Sequence, residues 1–137
     1  IKDLSKNLGG HQYFDITKED YKNYFKSISG ADTILTTAPD SKTIQELIPL
    51  LSNHGKLIVI GVGSEPIEVM GRDLVTKVAS ISGWATGSPN DSEKTLNFSS
   101  LAEVTPMVEV FPLENAIEAF EHMLSGKARF RVVLKMD

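Results

Sequence analysis

The chain has 137 residues, the size of one ordinary domain, with 41% hydrophobic and 23% charged residues, a balance that excludes a disordered polypeptide. Fourteen basic against eighteen acidic side chains leave a formal charge of −4, which argues against a nucleic-acid partner or a basic membrane-binding face. The absence of cysteine removes disulfides, thiolate metal sites and cysteine nucleophiles, and no apolar run approaches the ~20 residues of a bilayer span. No charged-then-apolar leader precedes the first helix, so a cytoplasmic protein is expected.

Taken in order, Ile1 to Leu8 reads as a helix tail stopped by Gly9-Gly10, and Gln12 to Ile16 as a short strand. Thr17 is expected to cap a helix running to about Ile28, with Asp20 completing a capping box. The β-branched and aliphatic run Asp32–Thr37 predicts a strand. Ser41 is the expected cap of the next helix, whose stripe is Ile44, Leu47, Ile48 and Leu51. Pro49 lies inside that stripe and predicts a kink, and His54-Gly55 ends the helix. Lys56–Val62 is apolar on both faces, the mark of a central strand.

Farther on, Arg72–Lys77 predicts one or two helical turns and Val78–Trp84 another strand. Asn90 and Glu93 are the expected capping box of a helix ending before Pro106. Met107–Phe111 reads as a strand. Pro112 opens a helix with Leu113, Ala116, Ile117, Phe120 and Leu124 on one face, closed by Gly126, and Phe130–Met136 reads as the last strand. Alternating strands and helices predict an α/β chain with a parallel sheet.

Ligands of open parallel sheets bind outside the carboxyl ends of the strands. Three predicted strands end there in small or Gly-rich turns: Thr37-Ala38-Pro39, Gly61-Val62-Gly63-Ser64 and Gly83-Trp84-Ala85-Thr86-Gly87-Ser88. Such turns let a ligand approach the backbone, and they are equally at home as plain turns. Gly61-Val62-Gly63 is not a dinucleotide fingerprint, because Pro66 stands where the third glycine belongs and no helix follows directly. His11, His54 and His122 have no metal-ligand spacing, and no nucleophile-elbow motif surrounds Ser64 or Ser88. Glu19-Asp20 suits the first turn of a helix. Arg129 and Arg131 alternate with Ala128, Phe130 and Val132, placing both on one strand face, either as a solvated edge or as an anion clamp.

Read together, these segments resemble one family. Gly30–Pro39 (GADTILTTAP), Gly55–Val62 (GKLIVIGV), Ile81–Gly87 (ISGWATG) with Asp91–Phe98 (DSEKTLNF), and Phe111–Ala116 (FPLENA) with Gly126–Leu134 (GKARFRVVL) follow the order of zinc-dependent medium-chain alcohol dehydrogenases. The resemblance covers nearly the whole chain and implies a partial Rossmann-type parallel sheet with flanking helices, its first two strands absent. Residues 1–105 would be the partial nucleotide-binding domain, and 106–137 a return segment toward the catalytic domain. Trp84 and Pro49 depart from common members.

The resemblance also implies function: an NAD(P)-dependent enzyme interconverting an alcohol and an aldehyde by hydride transfer. Val62, Gly63 and the turn Trp84-Ala85-Thr86 would lie against the nicotinamide, Thr37, Ala38 and Pro39 along the adenosine and ribose, and Arg131 on the pyrophosphate. Arg131 reaches the cofactor only if the segment after Met107 crosses back, as it does in the family. Zinc ligands, the phosphate loop and the residue selecting NAD or NADP would lie upstream, so the chain by itself is expected to be inactive, with no catalytic or metal-binding residue of its own. A homodimer through Val78–Trp84 is also implied. An open edge at Asp32–Thr37 predicts a marginal monomer. The alternatives are a truncated, non-catalytic binding or dimerisation module and a metal-free quinone-reductase-like relative.

Overall fold

Residues 1–17, 20–61 and 63–136 are described by a computed structural model. They fall into two units, Ile1–Thr86 and Gly87–Asp137. The first opens with α1 (Lys2–Asn7) and holds β1 (Ala31–Thr36), β2 (Leu51–Val59) and β3 (Ser80–Gly83) in one sheet, in the order β1-β2-β3. Both pairings are parallel, with Leu57 opposite Ile34 on one side and Ile81 on the other. Three aliphatic side chains therefore form one row across the sheet. Helix α3 (Ser41–Leu47) and the 3-10 turn Ile48–Leu50 cover that row with Ile44 and Ile48, four residues apart on one face. Leu51 and Leu57 are wholly buried in this core, and β2 is the central strand its composition predicts.

Several boundaries differ from expectation, each for a local reason. Gln12–Ile16 is not a strand. A strand needs a hydrogen-bonded neighbour, and among the described residues β1 pairs only with β2. The segment instead sets Phe14 against Tyr24 and Phe25 of α2 (Tyr21–Ser27), with ring centroids 4.8 and 6.1 Å apart. Asp20, not Thr17, caps α2 by accepting the Asn23 amide at 3.2 Å. Thr17 turns back onto Asp15. Of the Glu19-Asp20 pair, Glu19 lies outside the described residues.

At α3 the cap is Asp40, whose carboxylate accepts the Thr43 amide at 2.8 Å and the Thr43 hydroxyl at 2.6 Å. Ser41 becomes the first helical residue, and its hydroxyl donates to the Glu65 carbonyl at 2.6 Å. Pro49 has no amide proton, so the helix does not continue through it. The chain tightens into the 3-10 turn, and Leu51 leaves the predicted helical stripe to open β2. Between Leu51 and Lys56 the ladder is irregular: Ala31 faces Leu51, but Thr33 already faces Lys56. His54 takes up the extra length in the left-handed region (φ 60°). The regular ladder thus starts at Lys56, where the sequence places it.

Helix α4 (Gly71–Lys77) runs back to β3, and the Lys77 ammonium donates to the Pro49 and Leu51 carbonyls, both at 2.7 Å. In the second unit, α5 (Pro89–Leu101) is capped by Ser88 and Asp91 instead of Asn90 and Glu93. Pro89 then occupies the first helical position, which its fixed φ suits. Strands β4 (Val108–Pro112) and β5 (Arg131–Lys135) pair in parallel, joined by a 3-10 turn at Leu113–Asn115 and by α6 (Ala116–Leu124). Among the described residues no helix is long and apolar enough to cross a membrane.

Candidate functional site

Parallel strands deliver their carboxyl ends to one side of the sheet, and each crossover leaves from that side. At the ends of β2 and β3 a groove of about 1020 Å³ opens within the first unit. Ile44, Val59, Ile60 and Ile67 give it apolar side chains. Gly61, Gly63 and Gly83 contribute only backbone, and Ser41, Glu65, Trp84, Ala85 and Thr86 complete it.

Two of these glycines are dictated by the chain's own packing. A Cβ on Gly61 would overlap the Thr37 carbonyl, and one on Gly63 would overlap the Pro39 carbonyl. The third is different. A Cβ on Gly83 would meet only the Val59 carbonyl, at 3.8 Å, which is ordinary contact. The open space at Gly83 is a property of the groove, not a packing requirement. Beside it, the Trp84 amide donates to the Val59 carbonyl at 3.1 Å, carrying the ladder one residue beyond β3. That bond fixes where the indole leaves the backbone, yet Trp84 remains 72% exposed.

Of the residues singled out from sequence, Gly63, Trp84, Ala85 and Thr86 line this groove together. Thr37, Ala38 and Pro39 do not. Their carbonyls back Gly61 and Gly63, and Pro39 borders a smaller neighbouring hollow of about 430 Å³ with Asp40 and Ser64. Val62 lies outside the described residues. Arg131 opens β5 in the second unit and is exposed.

The pairing of Arg129 with Arg131 on one strand face is corrected. β5 begins only at Arg131. The Arg129 guanidinium is spent on its own turn, donating to the carbonyls of Gly126, Lys127 and Ala128 at 3.1, 3.2 and 3.0 Å.

Ser41, Ile44, Val59, Ile60, Glu65 and Ile67 are the groove residues that motif reading misses. Topology was the available signal. Residues leaving a parallel strand's carboxyl end must cross the ligand side before a helix carries them back. That rule covers Ile60, Glu65 and Ile67, and the predicted α3 stripe already contains Ile44.

The other polar clusters tie elements together. His122 Nε2 lies 2.7 Å from Glu109 Oε2, and Glu109 Oε1 accepts the Arg129 amide at 2.6 Å. The Arg129 amide first, and His122 second, hold the Glu109 carboxyl below the usual range. Between α2 and α3, Glu46 pairs with Lys22 at 2.8 Å and accepts the Tyr21 hydroxyl at 3.2 Å. Among the described residues no three His, Asp or Glu side chains converge as a metal ion requires.

The family profile described as "Zinc-binding dehydrogenase" matches residues 2–100. Alcohol dehydrogenase patD of Penicillium expansum is 36% identical over 135 residues, covering 98% of this chain and 39% of the relative. Alcohol dehydrogenase notN of an Aspergillus species is 36% identical over 133 residues, covering 97% and 39%. Among solved structures, a putative alcohol dehydrogenase from Sinorhizobium meliloti superposes with a TM-score of 0.85 at 19% identity, over 98% of this chain and 40% of that one. The alcohol dehydrogenase of the archaeon Aeropyrum pernix gives 0.81, also at 19% identity, over 98% and 40%. At such identities the structural likeness establishes the fold alone. The chain spans about two fifths of the length of the curated relatives it matches.

Proposed function

The chain belongs to the zinc-binding dehydrogenase family, and from that premise we propose that it is the cofactor-binding portion of an NAD(P)-dependent alcohol dehydrogenase. The whole protein oxidises an alcohol, or reduces an aldehyde, by hydride transfer. The observation that carries this reading is the groove at the carboxyl ends of β2 and β3, where a parallel sheet of this class receives its ligand.

The groove fits a flat ring. Gly83 leaves space, the Trp84 indole offers a face, and Ala85 and Thr86 are small. In this reading Gly63, Trp84, Ala85 and Thr86, together with Val62, seat the nicotinamide. Ile44, Ile60 and Ile67 keep water away from it. Thr37, Ala38 and Pro39 belong to the adenosine and ribose path, Arg131 to the pyrophosphate, and 106–137 to the return segment. When bound, the nicotinamide supplies the acceptor for the hydride leaving the alcohol carbon. Zinc does not fit the described residues, which bring no ligand set together. This chain's contribution is to bind and orient the ring, and alone it carries out no turnover.

Two copies meet at β3 in the same reading. β3 is an edge of the sheet, and Val75 and Val78 beside it are 79% and 65% exposed.

The test exploits Gly83. An added Cβ at Gly83 meets the Val59 carbonyl at ordinary contact distance, so Gly83→Val is the substitution expected to narrow the groove at least cost to the chain's own packing. In the intact protein it is expected to weaken NAD⁺ or NADP⁺ binding by about tenfold or more while leaving the melting temperature nearly unchanged. Binding unaltered by this substitution, measured by calorimetric titration, would remove the ring from the groove.

A further inference from the structure

We propose that Glu109 is a positioning residue for Arg131: its carboxylate, braced by His122, sets the turn that leads into Arg131 and so readies the guanidinium for a ligand of the diphosphate class. The inference rests on the reading of Arg131 as the residue on the cofactor's pyrophosphate. All the residues involved lie in the second unit.

The two arginines of this segment differ in what they are free to do. The Arg129 guanidinium is consumed by the carbonyls of Gly126, Lys127 and Ala128. Among the described residues the Arg131 guanidinium has no hydrogen bond or ion pair, and Arg131 is exposed. An unpaired guanidinium keeps its whole fork of N–H donors for a ligand, and two of them can meet a phosphate side by side.

The backbone that carries Arg131 is fixed by its amides. The Arg129 amide donates to Glu109 Oε1 at 2.6 Å, and the Phe130 and Arg131 amides donate to the Met107 carbonyl at 3.1 and 3.3 Å. Only the bond to Glu109 ends on a side chain. Glu109 is itself braced: Oε2 lies 2.7 Å from His122 Nε2 on α6, and the His122 ring stands 5.8 Å from that of Phe111 on β4, centroid to centroid. One carboxylate thus joins β4, α6 and the turn into β5.

Register keeps that carboxylate from being the guanidinium's partner. Glu109 lies opposite Val132, and Arg131 opposite Val108. Successive strand residues alternate faces, so Glu109 and Arg131 belong to opposite faces of the two-stranded sheet. Glu109 therefore acts on Arg131 through the backbone, not as a counter-ion. The two modes have opposite signs. Removing a nearby negative charge helps an anion bind, whereas loosening the turn adds an ordering cost to binding.

The experiment titrates the intact protein calorimetrically with ADP-ribose, which carries the diphosphate, and with adenosine, which lacks it. Arg131→Ala is expected to weaken ADP-ribose by about tenfold and adenosine not at all. Glu109→Ala should weaken ADP-ribose by about three- to fivefold, leave adenosine unchanged, and add nothing in the Arg131→Ala background. Glu109→Gln keeps an oxygen at the Arg129 amide and should bind as the unaltered protein does. Glu109→Asp keeps the charge but withdraws the oxygen by one methylene, and should behave like Glu109→Ala. If Glu109→Ala tightens ADP-ribose, weakens both probes alike, or weakens ADP-ribose equally with and without Arg131, the positioning role is overturned while the pyrophosphate reading stands. If Arg131→Ala leaves ADP-ribose binding unchanged, the pyrophosphate reading falls and the positioning role with it. Should Glu109→Ala fail to fold, the other two variants decide: geometry makes Glu109→Asp weaker than the unaltered protein, and charge alone makes Glu109→Gln tighter.

Discussion

A glycine without a side chain can mean two things, and the groove contains both. At Gly63 the missing Cβ lets the chain turn against the Pro39 carbonyl, so Gly63→Ala drives a methyl group into backbone that has no rotamer to yield. The expected cost is about 1–3 kcal/mol of stability, read as a lowered midpoint in urea. At Gly83 the same methyl meets ordinary contact, so Gly83→Ala should leave the midpoint in place. Equal midpoints for the two variants would mean that the Pro39 turn yields freely. Sequence alone shows Gly61-Val62-Gly63 and Gly83 as equivalent small residues. What separates them is contact with Thr37 and Pro39, residues more than twenty positions away along the chain. Glu65 and Ile67 were hidden for a related reason: nothing in their immediate neighbours marks them, and only the path of the crossover carries them past the groove.

At the scale of elements, strand identity was legible and element ends were not. β1, β2 and β3 follow from runs of aliphatic and β-branched residues, and β2's central place follows from its lack of a polar face. The caps moved by one to three positions, to Asp20, Asp40 and Ser88. Each stretch offers several capping side chains, and backbone geometry chooses among them. Gln12–Ile16 looks like a strand but lacks a ladder partner, which no local pattern can reveal.

The end of α4 carries a strain of its own. Val78 caps it in the left-handed region (φ 51°), a conformation that costs a β-branched residue ~1–2 kcal/mol. Val78 is mostly exposed, so Val78→Gly loses little burial and relieves that strain. It should raise the melting temperature of the monomer. If two copies meet along β3, the same substitution should also weaken self-association in sedimentation equilibrium, because the exposed side chain is then part of the contact. A variant that lowers the melting temperature at low concentration would show that Val78 is packed and that its conformation is supported.

The whole molecule is held partly by carboxylates that only the fold supplies with partners, and these make its stability depend on pH in a definite direction. Asp40 is depressed by the Thr43 hydroxyl and amide, and Glu46 by Lys22 and then Tyr21. In the second unit Asp91 is depressed by the Ser88 amide and hydroxyl, and Glu109 by the Arg129 amide and then His122. In the unfolded chain each returns to the ordinary carboxyl range near about 4. A group depressed on folding stabilises the protein fully above that range, and the contribution is lost as pH falls through its lower, folded value.

At the alkaline end the signs reverse. Burial, then the bond to Glu46, raises Tyr21, and the bond to Glu46 raises Lys22. Their contributions are present below the ordinary tyrosine and lysine values and disappear as pH climbs through the raised ones. The melting temperature should therefore hold steady near neutrality, fall on acidification from about pH 5 to pH 3, and fall again above about pH 10. Glu109→Gln separates charge from geometry at one of these sites. The amide oxygen still accepts from Arg129 but no longer titrates, so the acid limb should become shallower and the neutral-pH value lower. A melting temperature that stays constant down to pH 3 would mean that these contacts form in the folded chain without contributing to its stability.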